Sequence, residues 1–167
     1  MSPNQTTAAT GTDASMLDGP LPQLLDHIVK TYHAPLRADL LRLQQLIQQR
    51  LDASSVDERM ILEEIERNFS ALCDELELHM DKEEKVLFPW IRAGRGASAK
   101  APIKVMLREH QQTEELLACL RSLGARYAPS VDGSAARSIA QGLAAIDESL
   151  QAHMRLEEHL FKRALVA

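Results

Sequence analysis

Residues 79–91, HMDKEEKVLFPWI, and residues 153–165, HMRLEEHLFKRAL, open on the same phrase, His-Met-x-x-Glu-Glu. On an α-helix an i, i+4 pair lies ~40° apart around the axis and ~6 Å apart along it, so its two side chains face the same way. His79 with Glu83, and His153 with Glu157, can therefore each aim a ring nitrogen and a carboxylate oxygen at one point from a single helix. The phrase carries meaning only if its surroundings are helical, and they are. Ile61, Ile65, Phe69, Leu72, Leu76 and Met80 lead into the first copy at helical spacing. Ile139, Leu143, Ile146 and Leu150 lead into the second.

The same periodicity extends to the rest of the chain after Pro20. Leu21, Leu24, Leu25 and Ile28 recur on one face, and Leu36, Leu40, Leu43, Ile47 and Leu51 continue it. Pro35 removes one N–H and crowds the carbonyl of Thr31, which predicts a kink or restart there. Asp52–Val56 reads as a stop followed by a cap, with Ser55 or Asp57 as the capping residue. The second helix should end near Gly94-Arg95-Gly96. A third is expected from Pro102 to about Tyr127, then a turn over Ala128–Gly133, and a fourth from about Ser134 to Ala164. No stretch reads as a strand. The expected fold is all-α, an up-down-up-down four-helix bundle over residues 20–167, preceded by a mobile polar tail at 1–19.

Composition removes most other classes. The 167 residues are 45% apolar and 26% charged, the balance of a globular protein. Lys and Arg number 19 against 24 Asp and Glu, a net charge of −5 and the wrong sign for a nucleic-acid partner. No apolar run approaches the ~18 residues of a membrane helix, and the start has no signal-peptide pattern. Cys73 and Cys119 stand apart, which excludes a C-x-x-C thiolate site. A cytoplasmic protein is expected.

Six histidines are present, and four fall at one level of such a bundle. In an antiparallel pair, residues at equal height straddle the connecting turn symmetrically. The midpoint of His33 and His79 falls on Val56, at the first turn. That of His79 and His110 falls at Gly94-Arg95, and that of His110 and His153 inside Ala128–Gly133. A lone-His helix thus precedes a His-x-x-x-Glu helix twice, with leucines at matching offsets, Leu40 and Leu43 then Leu117 and Leu120. Four imidazoles and two carboxylates, each carboxylate bridging, supply four donors to each of two metals. An oxide or hydroxide bridge would leave an open position. Mixed nitrogen and oxygen donors of this kind suit iron or manganese, and the imidazole share favours iron.

The pattern Tyr32-His33, His79-x-x-x-Glu83, Glu109-His110 and His153-x-x-x-Glu157 resembles the hemerythrin-like (HHE cation-binding) family over about residues 21–165. The phrases at 79–91 and 153–165 look like the branch containing the di-iron iron–sulfur-cluster repair proteins induced by nitrosative and oxidative stress. That resemblance implies His33, His79, His110 and His153 as terminal ligands and Glu83 and Glu157 as bridging carboxylates of two irons. It implies a stress-response protein that binds NO or O2 and supports iron–sulfur-cluster repair by donating iron, with iron–sulfur proteins as partners. Two readings stand beside it: an O2 or NO scavenger, store or sensor without repair activity, and a helical interaction module with structural zinc. Members often read Leu-Phe-Pro where this chain has Leu160-Phe161-Lys162, so the fourth helix is expected to run on straighter. Oxygen carriers place a further histidine at the position held here by Glu114. Glu114 is then either within reach of the open position or a solvated carboxylate.

The remaining candidates read as bystanders. His27 and His159 lie six residues from a candidate ligand, about 240° around the helix, and should face away. Glu84 and Glu158 should be solvated, and Cys73 and Cys119 should be small buried hydrophobes. Tyr32 could hydrogen-bond near the metals or fill the core. Neither the Glu-x-x-His of ferritin-like sites nor the His-Glu-x-x-His of zinc peptidases occurs.

Overall fold

The computed structural model describes residues 16–130 and 134–166. Among them are helices and turns but no strand. The first rod comprises α1 (Leu21–Ile28), a π-helical turn (Val29–His33) and α2 (Ala34–Asp52). The second comprises α3 (Val56–Lys82), a second π-helical turn (Glu83–Leu87) and α4 (Phe88–Arg92). A short 3-10 turn (Gly96–Ala99) leads into the third rod, α5 (Lys100–Ser130), and the fourth is α6 (Ser134–Ala164). Each rod packs against the next and the fourth closes on the first, giving the expected all-α bundle.

Both π turns have the same local cause. Pro35 and Pro89 each follow two residues after a π turn and lack the N–H that an α-helix would offer to a carbonyl four residues back. The chain widens instead, and Ala34 N–H reaches Val29 O while Phe88 N–H reaches Glu83 O. The expected kink at Pro35 is therefore a widened turn rather than a break. Where the second motif has Lys162 in place of proline, α6 continues to Ala164 without a π turn.

Helix ends follow their chemistry. Ser55 is the N-cap of α3, its hydroxyl accepting from the Glu58 N–H at 3.3 Å. Gly94 adopts φ +68°, the left-handed conformation that ends α4. A Cβ on Gly96 would collide with the Ala164 carbonyl, so only glycine allows the 3-10 turn to lie against the end of α6. The third helix begins two residues before the expected Pro102, which still sits in the first turn where a missing N–H costs nothing. It also runs past Tyr127 to Ser130, and the end of the expected turn, 131–133, lies outside the described residues. Of the tail expected at 1–19, residues 1–15 lie outside the described residues. Leu17 O accepts from His159 Nε2 at 3.0 Å, and Gly19 O from Arg163 Nη2 at 2.7 Å.

The apolar interior forms two clusters. One includes Ile47, Leu62, Ile65, Phe69, Leu120 and Ile139. The other includes Leu25, Ile28, Phe88, Ile103, Leu160 and Phe161. Between them, in every rod, fall His33, His79, Glu83, His110, His153 and Glu157, all buried.

Candidate metal centre

The rods set the height of each donor and the π turns adjust its angle. His33 closes the first π turn and Glu83 opens the second. Such turns recur at functional sites because the extra residue re-aims a side chain without ending the helix. His79 lies in the last turn of α3, His110 on α5, and His153 and Glu157 one turn apart on α6.

The six side chains converge as two overlapping groups. His33, Glu83, His153 and Glu157 offer atoms within 4.8 Å of one another, and so do His79, Glu83, His110 and Glu157. Each group has its own pair of histidines, while both carboxylates belong to both groups. His110 Nε2 lies 3.1 Å from Glu157 Oε2, and His79 Nε2 lies 3.5 Å from Glu83 Oε2. Yet these four atoms and Glu83 Oε1 have no hydrogen-bond partner. They approach one another without aligning, as lone pairs do when they point at a shared centre. Buried polar atoms without partners cost a few kcal/mol each, so such a concentration demands an occupant. Four imidazole nitrogens and two carboxylates are a donor set for a transition-metal cation, and they fit one.

Protonation reflects the same crowding. His33 is pushed up to about 10: burial alone would lower it, but the nearby carboxylates of Glu157 and Glu83, each 3.4 Å from its Nε2, outweigh burial. Burial holds His79 and His153 below the usual imidazole range. Glu83 is raised by burial and by the neighbouring Glu157 charge. Glu157 is lowered: burial opposes its charge, but His153, His110 and His33 surround it. His153 Nε2 lies 2.6 Å from Glu157 Oε1 and 3.0 Å from His33 Nε2.

Behind the donors, the two sides of the layer differ. His33 Nδ1 is 2.8 Å from Glu84 Oε1, which also accepts from Arg37 Nη1 at 2.8 Å. His79 Nδ1 is 2.9 Å from Glu109 Oε2, whose other oxygen pairs with Lys82. Carboxylate partners of this kind fix ring orientation and raise ligand basicity. Burial would raise both carboxyls, but the bonds from Arg37 and His33, and from Lys82 and His79, hold Glu84 and Glu109 below the ordinary range. His110 and His153 have no partner at Nδ1. Ring stacking holds them instead, His153 on Tyr32 at 5.3 Å and His110 on Phe161 at 6.2 Å.

Several expectations resolve here. His27, which contacts Thr31 and the edge of Tyr32, and His159, bound to Leu17 O, lie outside both groups as expected. Glu158 is exposed, but Glu84 is not the solvated carboxylate that ideal phase predicts, because it anchors His33. Tyr32 is buried against the His153 ring. Glu114 lies outside both groups, on the wall of a cavity of about 340 Å³ that His110 also lines. Cys73 is half-buried against the core, its thiol pushed up to about 11 by burial. Cys119 is exposed rather than buried. Helical phase gave no sign of Arg37 and Lys82 as supports. Their signal was a basic residue about one turn after a layer histidine on the same rod, Arg37 after His33 and Lys82 after His79.

The family model of the Hemerythrin HHE cation binding domain matches residues 24–165. The chain belongs to this family. Among HHE relatives, the iron-sulfur cluster repair protein YtfE of Escherichia coli O157:H7 is 34% identical over 150 residues. The alignment covers 87% of this chain and 67% of that protein. The YtfE of Escherichia fergusonii is 33% identical over the same length. An HHE domain implies a cation site, and the paired His/Glu groups of this bundle are buried donors able to hold one. Among the described residues no helix is long and apolar enough to cross a membrane.

Proposed function

We propose that this HHE protein holds two non-haem irons, with His33 and His153 on one, His79 and His110 on the other, and Glu83 and Glu157 shared between them. The observation that carries this reading is the sharing itself: two donor groups with separate histidines and common carboxylates. When bound, the metal pair supplies redox chemistry and an open position for a small diatomic ligand. The chain's own residues exclude water, since Glu83 and Glu157 are 0% exposed, and fix His33 and His79 through Glu84 and Glu109. Extending the likeness to the repair proteins, the function is a cytoplasmic response to nitrosative and oxidative stress. It binds NO or O2 and supports iron–sulfur-cluster repair by donating iron, with damaged iron–sulfur proteins as partners.

Iron analysis with an absorption spectrum tests the centre. Close to two irons per chain with ferric charge-transfer bands is the expected result. One tightly held zinc per chain with no redox-sensitive spectrum would end the di-iron reading, because zinc has no second oxidation state. Anaerobic NO titration, followed by exposure of a fresh diferrous sample to air, tests the ligand. A stable nitrosyl complex and rapid autoxidation are expected; a reversible oxygen adduct would favour the storage or sensing alternative.

A further inference from the structure

His110 differs from the other three layer histidines in where it lies. His33 is backed by Glu84, Arg37 and the Phe88 ring, His79 by Glu109 and Lys82, and His153 by Tyr32. His110 stacks on Phe161, but it is 5% exposed, neither of its ring nitrogens has a hydrogen-bond partner, and of the four it is the one that lines the cavity of about 340 Å³ between α5 and α6. The cavity rises along two helical ladders. From His110, Leu107 and Glu114 lie one turn below and above; from Glu157, Glu158 and Phe161 continue the fourth rod. Its inner wall is apolar through Phe161, while Glu114, Glu158 and Lys162 are exposed at the rim, two negative charges against one positive. At ~30 Å³ per water, an octahedral ion with its inner waters needs on the order of 200 Å³, which this space can hold.

We propose that this cavity is the door through which a divalent metal reaches and leaves the layer, with Glu114 and Glu158 as its first carboxylate contacts and His110 as the receiving donor. The inference rests on the metal-binding reading above and adds a route and two residues to it. A hydrated cation exchanges water for rim carboxylate oxygens, and then for the unpartnered nitrogen of His110 and the Glu157 oxygen 3.1 Å from it. No net redox change accompanies this transfer.

A door has a kinetic signature that a ligand or a positioning residue lacks: narrowing it slows loading and release by the same factor and leaves affinity unchanged. Anaerobic stopped-flow loading of the full chain with Co²⁺ or Fe²⁺, and release to a chelator, read both rates. Leu107→Trp should slow both together, with final stoichiometry unaltered. The double variant Glu114→Gln with Glu158→Gln, which alters only exposed side chains, should slow loading and release alike, about tenfold at low salt, and flatten the salt dependence of loading. Wild-type rates in both variants would overturn the door while leaving the metal site standing. Failure of the wild-type chain to bind either metal would instead overturn the reading on which the door rests.

Discussion

Two buried charge clusters lie at different heights of the bundle, one in the layer between the apolar clusters and one at the end beside the α2–α3 turn, and they treat their carboxylates in opposite ways. At the far end Glu58, only 6% exposed, accepts from Arg50 Nε and Nη2, both at 2.6 Å, and from the Tyr127 hydroxyl at 2.6 Å. In the layer, Glu83 is fully buried and neither oxygen has a hydrogen-bond partner. One carboxylate is fully committed to holding α2, α3 and α5 together. The other meets His33 and His79 at 3.4 and 3.5 Å without aligning with either. Burial of a charged side chain therefore does not mark a site by itself; burial with unspent hydrogen-bonding capacity does.

The largest test of that contrast removes donors from the layer. His79→Ala or Glu157→Ala should lose more than half of the bound metal in an elemental analysis of iron-loaded protein, whereas His27→Ala and His159→Ala should keep it all. Complete metal loss on His159→Ala would place the phase of α6 differently. Next in size is the far end. Glu58→Gln should cost about 3 kcal/mol in urea unfolding, since it leaves Arg50 half-buried without its partner, and Tyr127→Phe about 1 kcal/mol. In the metal-free chain Glu83→Gln should cost less than Glu58→Gln, because it loses only unaligned contacts to His33 and His79 at 3.4 and 3.5 Å. A large loss there would erase the distinction between the two clusters.

A further contrast is in pH. His33 is held at about 10 against an ordinary 6.5, so its contribution to the metal-free fold is complete below 6.5 and is lost as pH rises toward 10. Glu83, also raised, adds loss in the same direction. Glu58 behaves oppositely: burial would raise it, but Arg50 and Tyr127 lower it, so its contribution is present above 4.5 and is lost in acid as the lowered carboxyl protonates. Metal-free protein should therefore lose stability between pH 6.5 and 10. Loaded protein should not, because a cation takes the place of the His33 proton. Parallel thermal melts of the two forms over that range would show whether their curves separate.

The layer itself was legible because it depends on periodicity. The i, i+4 spacing placed His79 with Glu83 and His153 with Glu157, and symmetry about the turns set the four histidines at one height. The supports were not legible, since they depend on departures from an ideal helix. Phase counted at 100° per residue turns Glu84 toward solvent, but Glu84 lies within the π turn that Pro89 induces, and the widened turn brings it to His33. Glu109 adjoins His110 in sequence yet serves His79 across the rod boundary. That pairing depends on the lateral register of α3 and α5, and no single-helix pattern encodes it. Pro35 predicted its own disturbance; the same reasoning applied to Pro89 would have found the second.

The division of the apolar interior bears on how the chain comes apart. A belt of six polar side chains separates the two hydrophobic clusters, and few apolar contacts bridge the belt directly. Such a partition gives the bundle two halves that can unfasten one at a time. A pair of ions, each held by three rods and together by all four, would act as a rivet at the seam and turn two loosely linked transitions into one. Amide exchange would report this as a difference in protection: unequal between the halves of a stripped chain, and uniform across both once the seam is closed.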